Sequence, residues 1–304
     1  MRLGDCGKTN LHTYSDKEKW SLIRYLDTGS ITEGRIDEIQ TLYPGVDKIP
    51  SRARRKASVG DILFSTVRPN QKHYGIIEAG TENLLVSTGF TVVTVDTTIA
   101  DPYFIYYYLT QSSVIESLQA IAEQSTSTYP SIKPSDIEDI ELDLPELETQ
   151  KKIGSTLRML DRKIALNEEI NDNLEQQAQS YFQELFVDNA DPEWAIGTIS
   201  DLGTVVGGST PSKAKPEYYT ESGIAWITPK DLSNNKSKFV SHGENDITEL
   251  GLRNSSASIM PEGTVLFSSR APIGYIAIAA GEVTTNQGFK SVVPKPEIGT
   301  PFVY

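Results

Sequence analysis

A short segment near residue 60 recurs near residue 263, and this repetition restricts the folds that the chain can adopt. Residues 60–66 read GDILFST and residues 263–269 read GTVLFSS, and a proline lies nine residues after the first glycine in both. Two further pairs of glycines match, 14 residues apart in each copy: Gly75 with Gly274 and Gly89 with Gly288. Such self-similarity indicates two copies of one domain, and repeated modules suit a target with two half-sites.

Short strand patterns surround both copies of the repeat. Runs of aliphatic and aromatic residues next to turn residues predict strands at 62–64, 90–95, 226–228 and 265–267. Asp101 and Pro102 predict the cap and first turn of a helix that runs past Leu109 to Val114, and the aromatic residues at 103–108 are interpreted as core. The fold class is therefore α+β, with two repeated mixed α/β domains and a long helix between them.

Residues 145 to about 186 carry the pattern of that helix. Pro145 and the glutamates after it suit a first turn, and no further proline occurs before Pro192. Apolar residues recur in alternating steps of four and three, which is the heptad pattern of a coiled coil. The predicted coiled-coil interface comprises Ile153, Leu157, Leu160, Ile164, Asn167, Asn171 and Leu174. Because so narrow an apolar stripe is unstable alone in water, a partner helix is expected, and the two asparagines would fix its register.

The formal net charge of −13 is concentrated in one segment. Residues 136–193 contain 5 Lys+Arg and 16 Asp+Glu, whereas residues 1–135 contain 14 and 15 and residues 194–304 contain 9 and 10. Between Lys48 and Lys72, seven basic residues accompany one carboxylate, Asp61, which gives a local net charge of +6. A cluster of this kind is what phosphate binding requires, although a solvated loop can show the same pattern.

Motifs for catalysis, metal binding and membrane insertion are missing from the sequence. Residues 101–104 differ from the amino-methyltransferase motif at the third position, and residues 203–212 lack the Lys-Ser/Thr of a P-loop. The three histidines are scattered, and the carboxylates at 136–148 alternate with aliphatic residues, which predicts a strand exit with a solvated face. With one cysteine, no run of 18 apolar residues and no apolar signal region at the N-terminus, a cytoplasmic protein is expected.

With the repeat and the helix in view, the chain resembles the specificity subunit of type I restriction–modification enzymes. Residues 143–153 (DLPELETQKKI) are similar to the family's junction between a recognition domain and the long helix that follows. The other similar segments are 159–164 and 167–174 for the central helix, and 263–272 with 286–289 for a second recognition domain. The resemblance implies a first target-recognition domain at 1–144, a coiled-coil spacer at 145–190 and a partial second target-recognition domain at 191–304.

The resemblance further implies a non-catalytic subunit of a prokaryotic cytoplasmic complex. Such a subunit reads a bipartite double-stranded DNA target and recruits modification (methyltransferase) and restriction (ATP-dependent translocase and nuclease) subunits. S-adenosylmethionine, ATP and Mg would belong to those partners, and no cofactor or metal is expected in this chain. The residue types suited to phosphates and base edges predict DNA contacts at Arg52, Arg54, Arg55, Lys56, Arg68, Lys72, His73, Tyr74, Lys230, Arg270, Asn286 and Gln287.

One departure from the family pattern concerns the end of the sequence. The family's second domain normally continues into another aromatic helix and a distal helix that pairs with the central one, whereas this sequence ends at residue 304. The expectation is therefore a second recognition domain that is cut short. Two alternatives remain open, namely a non-catalytic coiled-coil scaffold with two α/β modules and a truncated, silent specificity cassette.

Overall fold

The computed structural model describes residues 1–125, 129–235 and 237–304. The chain divides into two units, Met1–Glu184 and Leu185–Tyr304, so the first unit includes the long helix. The functional boundaries at residues 144 and 190, which set the helix apart as a spacer, stay a prediction.

Two sheets form the framework of the first unit. In chain order its strands are β1 (Gly7–Thr9), β2 (Ile23–Leu26), β3 (Ile31–Thr32), β4 (Arg35–Ile36), β5 (Gln40–Leu42), β6 (Ala53–Lys56), β7 (Ile62–Ser65), β8 (Tyr74–Ile76), β9 (Leu84–Ser87) and β10 (Phe90–Val95). One sheet has the order β1-β10-β7-β8 and the other has the order β5-β2-β9-β6, while β3 and β4 form a separate hairpin. The strands predicted at 62–64 and 90–95 are confirmed.

Strand β7 is buried on both faces, which explains its uninterrupted apolar sequence. Ile62 and Phe64 belong to a core cluster shared with helices, whereas Leu63 belongs to a second cluster that includes Phe90 from the neighbouring strand β10 and Val86 from β9 of the other sheet. Alternate side chains of a strand lie on opposite faces, so a strand that is covered on both sides needs apolar residues at every position.

Helices cover one face of the first sheet. They are α1 (Leu3–Cys6), α2 (Pro102–Leu109), α3 (Ser112–Glu123) and α4 (Pro134–Glu138). Asp101 Oδ1 accepts a hydrogen bond from the amide of Phe104 at 2.9 Å, which confirms the predicted cap. Tyr106 is buried in the core, and the other aromatic residues of α2 pack partly buried against it. The prediction that α2 continues to Val114 is wrong, because the chain turns after Leu109 and a new helix starts at Ser112.

Helix α5 (Leu147–Phe182) has 36 residues, or ~54 Å at the rise of an α-helix, and a π-helical turn at Gln183–Asp188 follows it. It begins two residues after the predicted Pro145. No helix in the described ranges combines the length and the apolarity that a bilayer crossing would need.

The predicted strand exit at 136–148 is wrong. Asp136 and Glu138 lie in α4, and the following residues form only an isolated bridge between Arg2 and Glu141 before α5 begins. The apolar residues still face inward, because Ile137 and Leu142 are buried under α1 and the first sheet. Contacts with the N-terminal residues therefore determine this segment more than strand pairing does.

The second unit also contains two sheets. Its strands are β11 (Gly203–Gly207), β12 (Tyr219–Thr220), β13 (Ile224–Ile227), β14 (Phe239–Val240), β15 (Asn245–Ile247), β16 (Val265–Phe267), β17 (Ile276–Ala279), β18 (Thr284–Thr285) and β19 (Lys290–Pro294). Its helices are α6 (Ile199–Leu202), α7 (Pro229–Asn234), α8 (Glu249–Arg253) and α9 (Thr300–Val303). The sheet orders are β11-β19-β16-β17-β14 and β12-β15-β13-β18. The strand predicted at 265–267 is confirmed, and the one predicted at 226–228 ends at Ile227.

The two units share the topology of their central strands. The series β1-β10-β7-β8 of the first unit corresponds to β11-β19-β16-β17 of the second, and β2 pairs in parallel with β9 as β13 pairs with β18. The register is also the same, since Ile62 lies opposite Val93 and Val265 lies opposite Val292. The turn glycines Gly60 and Gly263 have φ values of +89° and +82°, a conformation that favours glycine. The duplication seen in the sequence is therefore present in the backbone.

One glycine match of the repeat is wrong. Gly75 lies opposite Leu63 in the first sheet, whereas Ala277, not Gly274, lies opposite the corresponding Leu266. Gly274 lies before β17 with φ +90°. Between its first glycine and its crossing-loop glycine the first copy is four residues longer than the second; one of these residues lies between β7 and β8 and three lie after β8, because equal spacing in a sequence does not fix register across a loop.

Candidate nucleic-acid interface

In each unit, the chain passes from one sheet to the other through a short loop, and many of the predicted contact residues lie around it. We call this the crossing loop. In the first unit it is Thr88 and Gly89, between β9 and β10. The carbonyl of Gly89 accepts hydrogen bonds from the amide and the hydroxyl of Thr66, at 2.8 and 2.9 Å. Ser87 Oγ accepts a hydrogen bond from the amide of Gly89 at 3.2 Å, so the loop is held at both ends.

The crossing loop of the second unit, residues 286–288, is held by the same bonds. The carbonyl of Gly288 accepts hydrogen bonds from the amide and the hydroxyl of Ser269, at 2.8 and 3.2 Å. Asn286 Oδ1 takes the role of Ser87 Oγ and accepts the amide of Gly288 at 2.8 Å. Each loop is therefore held by an equivalent set of hydrogen bonds.

In each unit the crossing loop also lies against the end of a corresponding strand, β2 in the first and β13 in the second. A Cβ atom built on Gly89 would lie 2.8 Å from Thr28 Cγ2, just after β2, and one built on Gly288 would lie 2.8 Å from Pro229 Cγ, just after β13. Any side chain at either glycine would press on these residues, so glycine is needed for the close approach.

Cationic residues lie beside the first crossing loop. The carbonyl of the exposed Arg52 accepts a hydrogen bond from the amide of Thr88 at 2.9 Å, which places the two residues side by side. Arg68 follows Thr66 by two residues, is exposed, and lies with its guanidinium 5.2 Å from the ring centroid of Tyr129. The structure thus brings Arg52 and Arg68, far apart in the sequence, to one loop.

All four predicted residues of the second unit lie around its crossing loop. Arg270 donates its backbone amide to the carbonyl of Gly288 at 3.2 Å and is exposed. Lys230 follows Pro229, which packs against Gly288, and Asn286 and Gln287 are part of the loop. Thr210 donates its hydroxyl hydrogen to Gln287 Oε1, which orients the amide of that exposed side chain.

The predicted residues on β6 lie elsewhere in the first unit. Arg55 is half-buried and donates to Asn10 Oδ1 at 2.6 Å and to the carbonyl of Phe90. Burial lowers the pKa of its guanidinium, although arginine stays charged at any ordinary pH. Lys56 pairs with Glu18 and lies 5.1 Å from the Trp20 ring centroid. Arg54 is half-buried on the same strand.

Lys72, His73 and Tyr74 lie beside the β3–β4 hairpin. Lys72 pairs with Glu33, which raises the pKa of the ammonium group, and His73 Nδ1 lies 2.7 Å from the carbonyl of Ile31. Tyr74 is 7% exposed, and its ring stacks on Phe64 with centroids 5.8 Å apart. A ring in the core offers no face to DNA, so Tyr74 does not belong among the contact residues.

The predicted basic contact residues also differ in whether they form an ion pair with a carboxylate. Lys56, Lys72 and Lys230 each pair with a glutamate, and Glu244 raises the pKa of Lys230. In the described parts of the chain, the guanidinium groups of Arg52, Arg68 and Arg270 form no pair with a carboxylate. Binding of a phosphate at these arginines therefore breaks no existing ion pair.

Comparison with known proteins agrees with the duplicated fold. A model of the type I restriction modification DNA specificity domain matches residues 52–176 and 192–304.

The chain belongs to this family.

Two relatives and one solved structure illustrate how far the family resemblance extends. The chain is 24% identical to the type I restriction enzyme HindI specificity subunit of Haemophilus influenzae. That alignment of 374 residues covers 99% of this chain and 80% of the relative. It is 44% identical over 126 residues to the type I restriction enzyme MjaIX specificity subunit of Methanocaldococcus jannaschii, covering 41% of this chain and 29% of that one. The S subunit of a type I restriction–modification system from M. genitalium has the same fold, with a TM-score of 0.53 at 16% identity, over 100% of this chain and 73% of that one.

In this family member, the first turns of α5 are attached to α2 and to Glu78 within the first unit. Gly154 packs against α2, since a Cβ there would lie 3.0 Å from Tyr103 Cβ and 2.5 Å from Asp101 Oδ1. Tyr107 donates its hydroxyl hydrogen to Asp161 Oδ2 at 2.7 Å, and Arg158 Nε donates to Glu78 Oε1 at 3.0 Å. Burial, and then the bond to Asp161, raise the pKa of Tyr107.

The predicted coiled-coil interface is largely exposed in this chain. Ile153 is 40% exposed and Ile164 58%, and the other apolar residues of the set except Leu157 are exposed to a similar degree. Asn167 and Asn171 are exposed as well. The exposed side chains of the stripe are available for a partner helix, and the pairing itself stays a prediction.

Several residues of the crossing loops were missed by the sequence analysis. Thr66 and Ser269 hold the loops from equivalent positions, and Thr88 is the first-unit counterpart of Gln287. The signal was present in the repeat, because Thr66 and Ser269 end the matched segments. Among the described residues, no three His, Cys, Asp or Glu side chains are grouped in a way that would hold a metal ion.

Proposed function

We propose that this chain is the specificity subunit of a type I restriction–modification complex and reads a bipartite double-stranded DNA target. The observation that carries the proposal is the duplication. Two units with one topology of their central strands, one register and one set of loop bonds occur in a chain that the DNA specificity domain model matches twice. A duplicated reader suits a target with two half-sites.

The chemistry of each predicted contact residue indicates the part of the DNA that it would contact. The exposed arginines Arg52, Arg68 and Arg270 suit phosphate oxygens or guanine edges, and Gln287 suits a base edge. Arg54, Lys56, Lys72, His73, Lys230 and Asn286 remain in the proposed contact set, although the three lysines must first leave a glutamate. Arg55 contributes mainly to the fold. The acidic net charge does not oppose this role, because the excess lies in the segment 136–193.

Partner subunits supply the chemistry in this proposal. The relatives are named as specificity subunits of type I restriction enzymes, and the exposed stripe of α5 suits a helix of another subunit in such an enzyme. Methyl transfer with S-adenosylmethionine and ATP-driven cleavage with Mg belong to the modification and restriction subunits. The specificity subunit itself takes part by binding and positioning DNA, with no catalytic step of its own.

The test is selection of DNA by the chain together with its cognate modification subunit. A random duplex pool is incubated with the complex at two salt concentrations, and the retained DNA is sequenced. We expect a split motif with a fixed gap, and an affinity that falls steeply with salt because counterions are released at each phosphate contact. Retention of no motif by a folded complex would overturn the proposal and favour a scaffold or silent cassette.

Matched variants locate the interface in the same assay. Arg52→Ala and Arg270→Ala each lower the slope of log affinity against log salt by about 0.9 for every phosphate that the arginine neutralises. Arg253→Ala is the control, because Arg253 is an exposed arginine of the second unit that pairs with Glu249 outside the crossing loop.

A further inference from the structure

Comparison of the two crossing loops identifies one position in each unit at which the fold is the same and the chemistry differs. Thr88 and Gln287 occupy this position, each directly before the loop glycine and each exposed. The geometry points to Thr88 and Gln287 as equivalent base-reading residues, one for each half of the DNA target. This inference rests on the proposed function and adds to it the residues that distinguish the half-sites.

The equivalence is set by hydrogen bonds on both sides of the position. Before it, Ser87 Oγ and Asn286 Oδ1 accept the amide of the loop glycine, at 3.2 and 2.8 Å. After it, the carbonyls of Gly89 and Gly288 accept the amides of Thr66 and Ser269, both at 2.8 Å. Backbone atoms and the side chains of neighbouring residues therefore hold the backbone of each loop, and within the described part of the chain the side chains of Thr88 and Gln287 form no hydrogen bond to it.

The two side chains offer different groups to a base edge. Threonine has a methyl group, which suits the methyl of thymine, and a hydroxyl that can donate or accept. Gln287 Oε1 already accepts a hydrogen bond from Thr210, so the NH2 group is the part left for DNA. Because NH2 only donates, Gln287 suits a base that presents an acceptor in the major groove, such as a purine N7.

Each position also has an adjacent arginine that can hold the DNA backbone in place. Arg52 accepts the amide of Thr88 through its carbonyl, and Arg270 donates its amide to the carbonyl of Gly288. Neither guanidinium forms an ion pair with a carboxylate among the described residues. A phosphate contact beside a base contact is the usual arrangement in sequence-specific recognition, because the phosphate contact fixes the register in which the base is read.

Reciprocal exchange of the two residues tests the inference. Thr88→Gln and Gln287→Thr are each assembled with the cognate modification subunit, and each complex is used to select from the random duplex pool. We expect Thr88→Gln to change the preferred base at one position of one half-site, and Gln287→Thr to change one position of the other. In each variant, discrimination at that position changes by about tenfold, while the gap and the opposite half-site stay as in the wild type.

Thr204→Gln serves as the control, since Thr204 is an exposed threonine of β11 away from the crossing loop, and we expect its motif to be that of the wild type. Thermal unfolding of every variant shows whether the fold is retained. Gln287→Glu keeps the side-chain shape but replaces the NH2 donor, and we expect it to change the same base position as Gln287→Thr. If the folded variants select the wild-type motif in both halves, the inference is overturned while the proposed function stands. If the wild-type complex selects no motif, the proposed function fails, and the inference fails with it.

Discussion

Arg55 donates a hydrogen bond to Asn10 Oδ1 at 2.6 Å, and the same oxygen accepts the amide of Val92 at 3.0 Å. Because Arg55 also donates to the carbonyl of Phe90, its guanidinium joins β6 of one sheet to β10 of the other. Arg52, three residues earlier, is exposed and lies at the crossing loop. Two arginines of one basic cluster therefore have different roles.

Because of this difference, we expect Arg55→Ala to lower stability and Arg52→Ala to lower DNA binding with little change in stability. Arg55→Ala leaves Asn10 Oδ1 and the Phe90 carbonyl without the guanidinium donor, so we expect the free energy of unfolding to fall by about 1–3 kcal/mol. Arg52→Ala should change it by less than about 0.5 kcal/mol, while weakening DNA binding. Urea denaturation followed by circular dichroism measures the first effect. An equal loss of stability in both variants would contradict the assignment.

Removal of the glutamate beside Lys230 is expected to strengthen DNA binding. The Lys230 ammonium lies 2.7 Å from Glu244 Oε2 and must leave it to meet a phosphate. In Glu244→Gln the lysine is released and a negative charge is removed, so the affinity for DNA rises and its salt dependence becomes steeper. Binding titrations at several salt concentrations show this. Glu249→Gln, which removes a carboxylate paired with Arg253 elsewhere in the unit, should have a smaller effect, and equal effects would mean that only net charge matters.

The tyrosine that attaches α5 to α2 should make stability sensitive to high pH. Burial and the hydrogen bond to Asp161 raise the pKa of Tyr107 above its ordinary value of 10, so the unfolded chain loses this proton at a lower pH than the folded chain. The stabilising contribution is complete below pH 10 and is lost as the pH rises above it. Tyr107→Phe should therefore show a smaller fall in unfolding free energy between about pH 8 and pH 11, measured by urea denaturation. A fall equal to that of the wild type would show that Tyr107 is not the group responsible.

The exposed stripe of α5 is expected to matter for assembly and not for the fold of this chain. Leu160 is 53% exposed and Ile164 58%, so replacing both with Asn removes little buried area here. We expect unchanged thermal unfolding and reduced co-purification with the modification subunit, since a partner helix would no longer find apolar side chains to pack against. Glu169→Asn, off the stripe on the same helix, is the control. Normal co-purification of the double variant would exclude this stripe as the contact surface.

Local sequence signals were sufficient to predict many of the helices and strands. The Asp101 cap, strand β10 and the long helix were predictable because each depends on residues close in the chain. Segment 136–148 was not, because its apolar residues are buried by the N-terminal helix, which no local pattern records. The match of Gly75 with Gly274 failed for a related reason, since pairing across a sheet is decided by partners and not by spacing.

The sequence predicted which residue types form the candidate site, but it was less able to say which individual residues of those types belong to it. Arg52 and Arg55 look alike in the sequence, and only tertiary packing exposes one and buries the other. Asn286 was selected for its amide, yet its oxygen accepts the amide of Gly288, as Ser87 Oγ does for Gly89. Each crossing loop connects two sheets, and the residues around it come from distant parts of the sequence. They could therefore be identified only from the structures of the two units.

The bonds that hold each crossing loop come from the residues on either side of Thr88 and Gln287, and this has an evolutionary consequence. A point mutation at either codon can alter the side chain while the bonds of Ser87, Asn286 and the loop glycines are kept, although at Gln287 it also removes the acceptor of the Thr210 hydroxyl. Two loops that began as copies can then drift apart independently, each tolerated by the same framework. With the roles proposed for Thr88 and Gln287, new pairings of half-sites become accessible in single steps while the framework of each loop is kept.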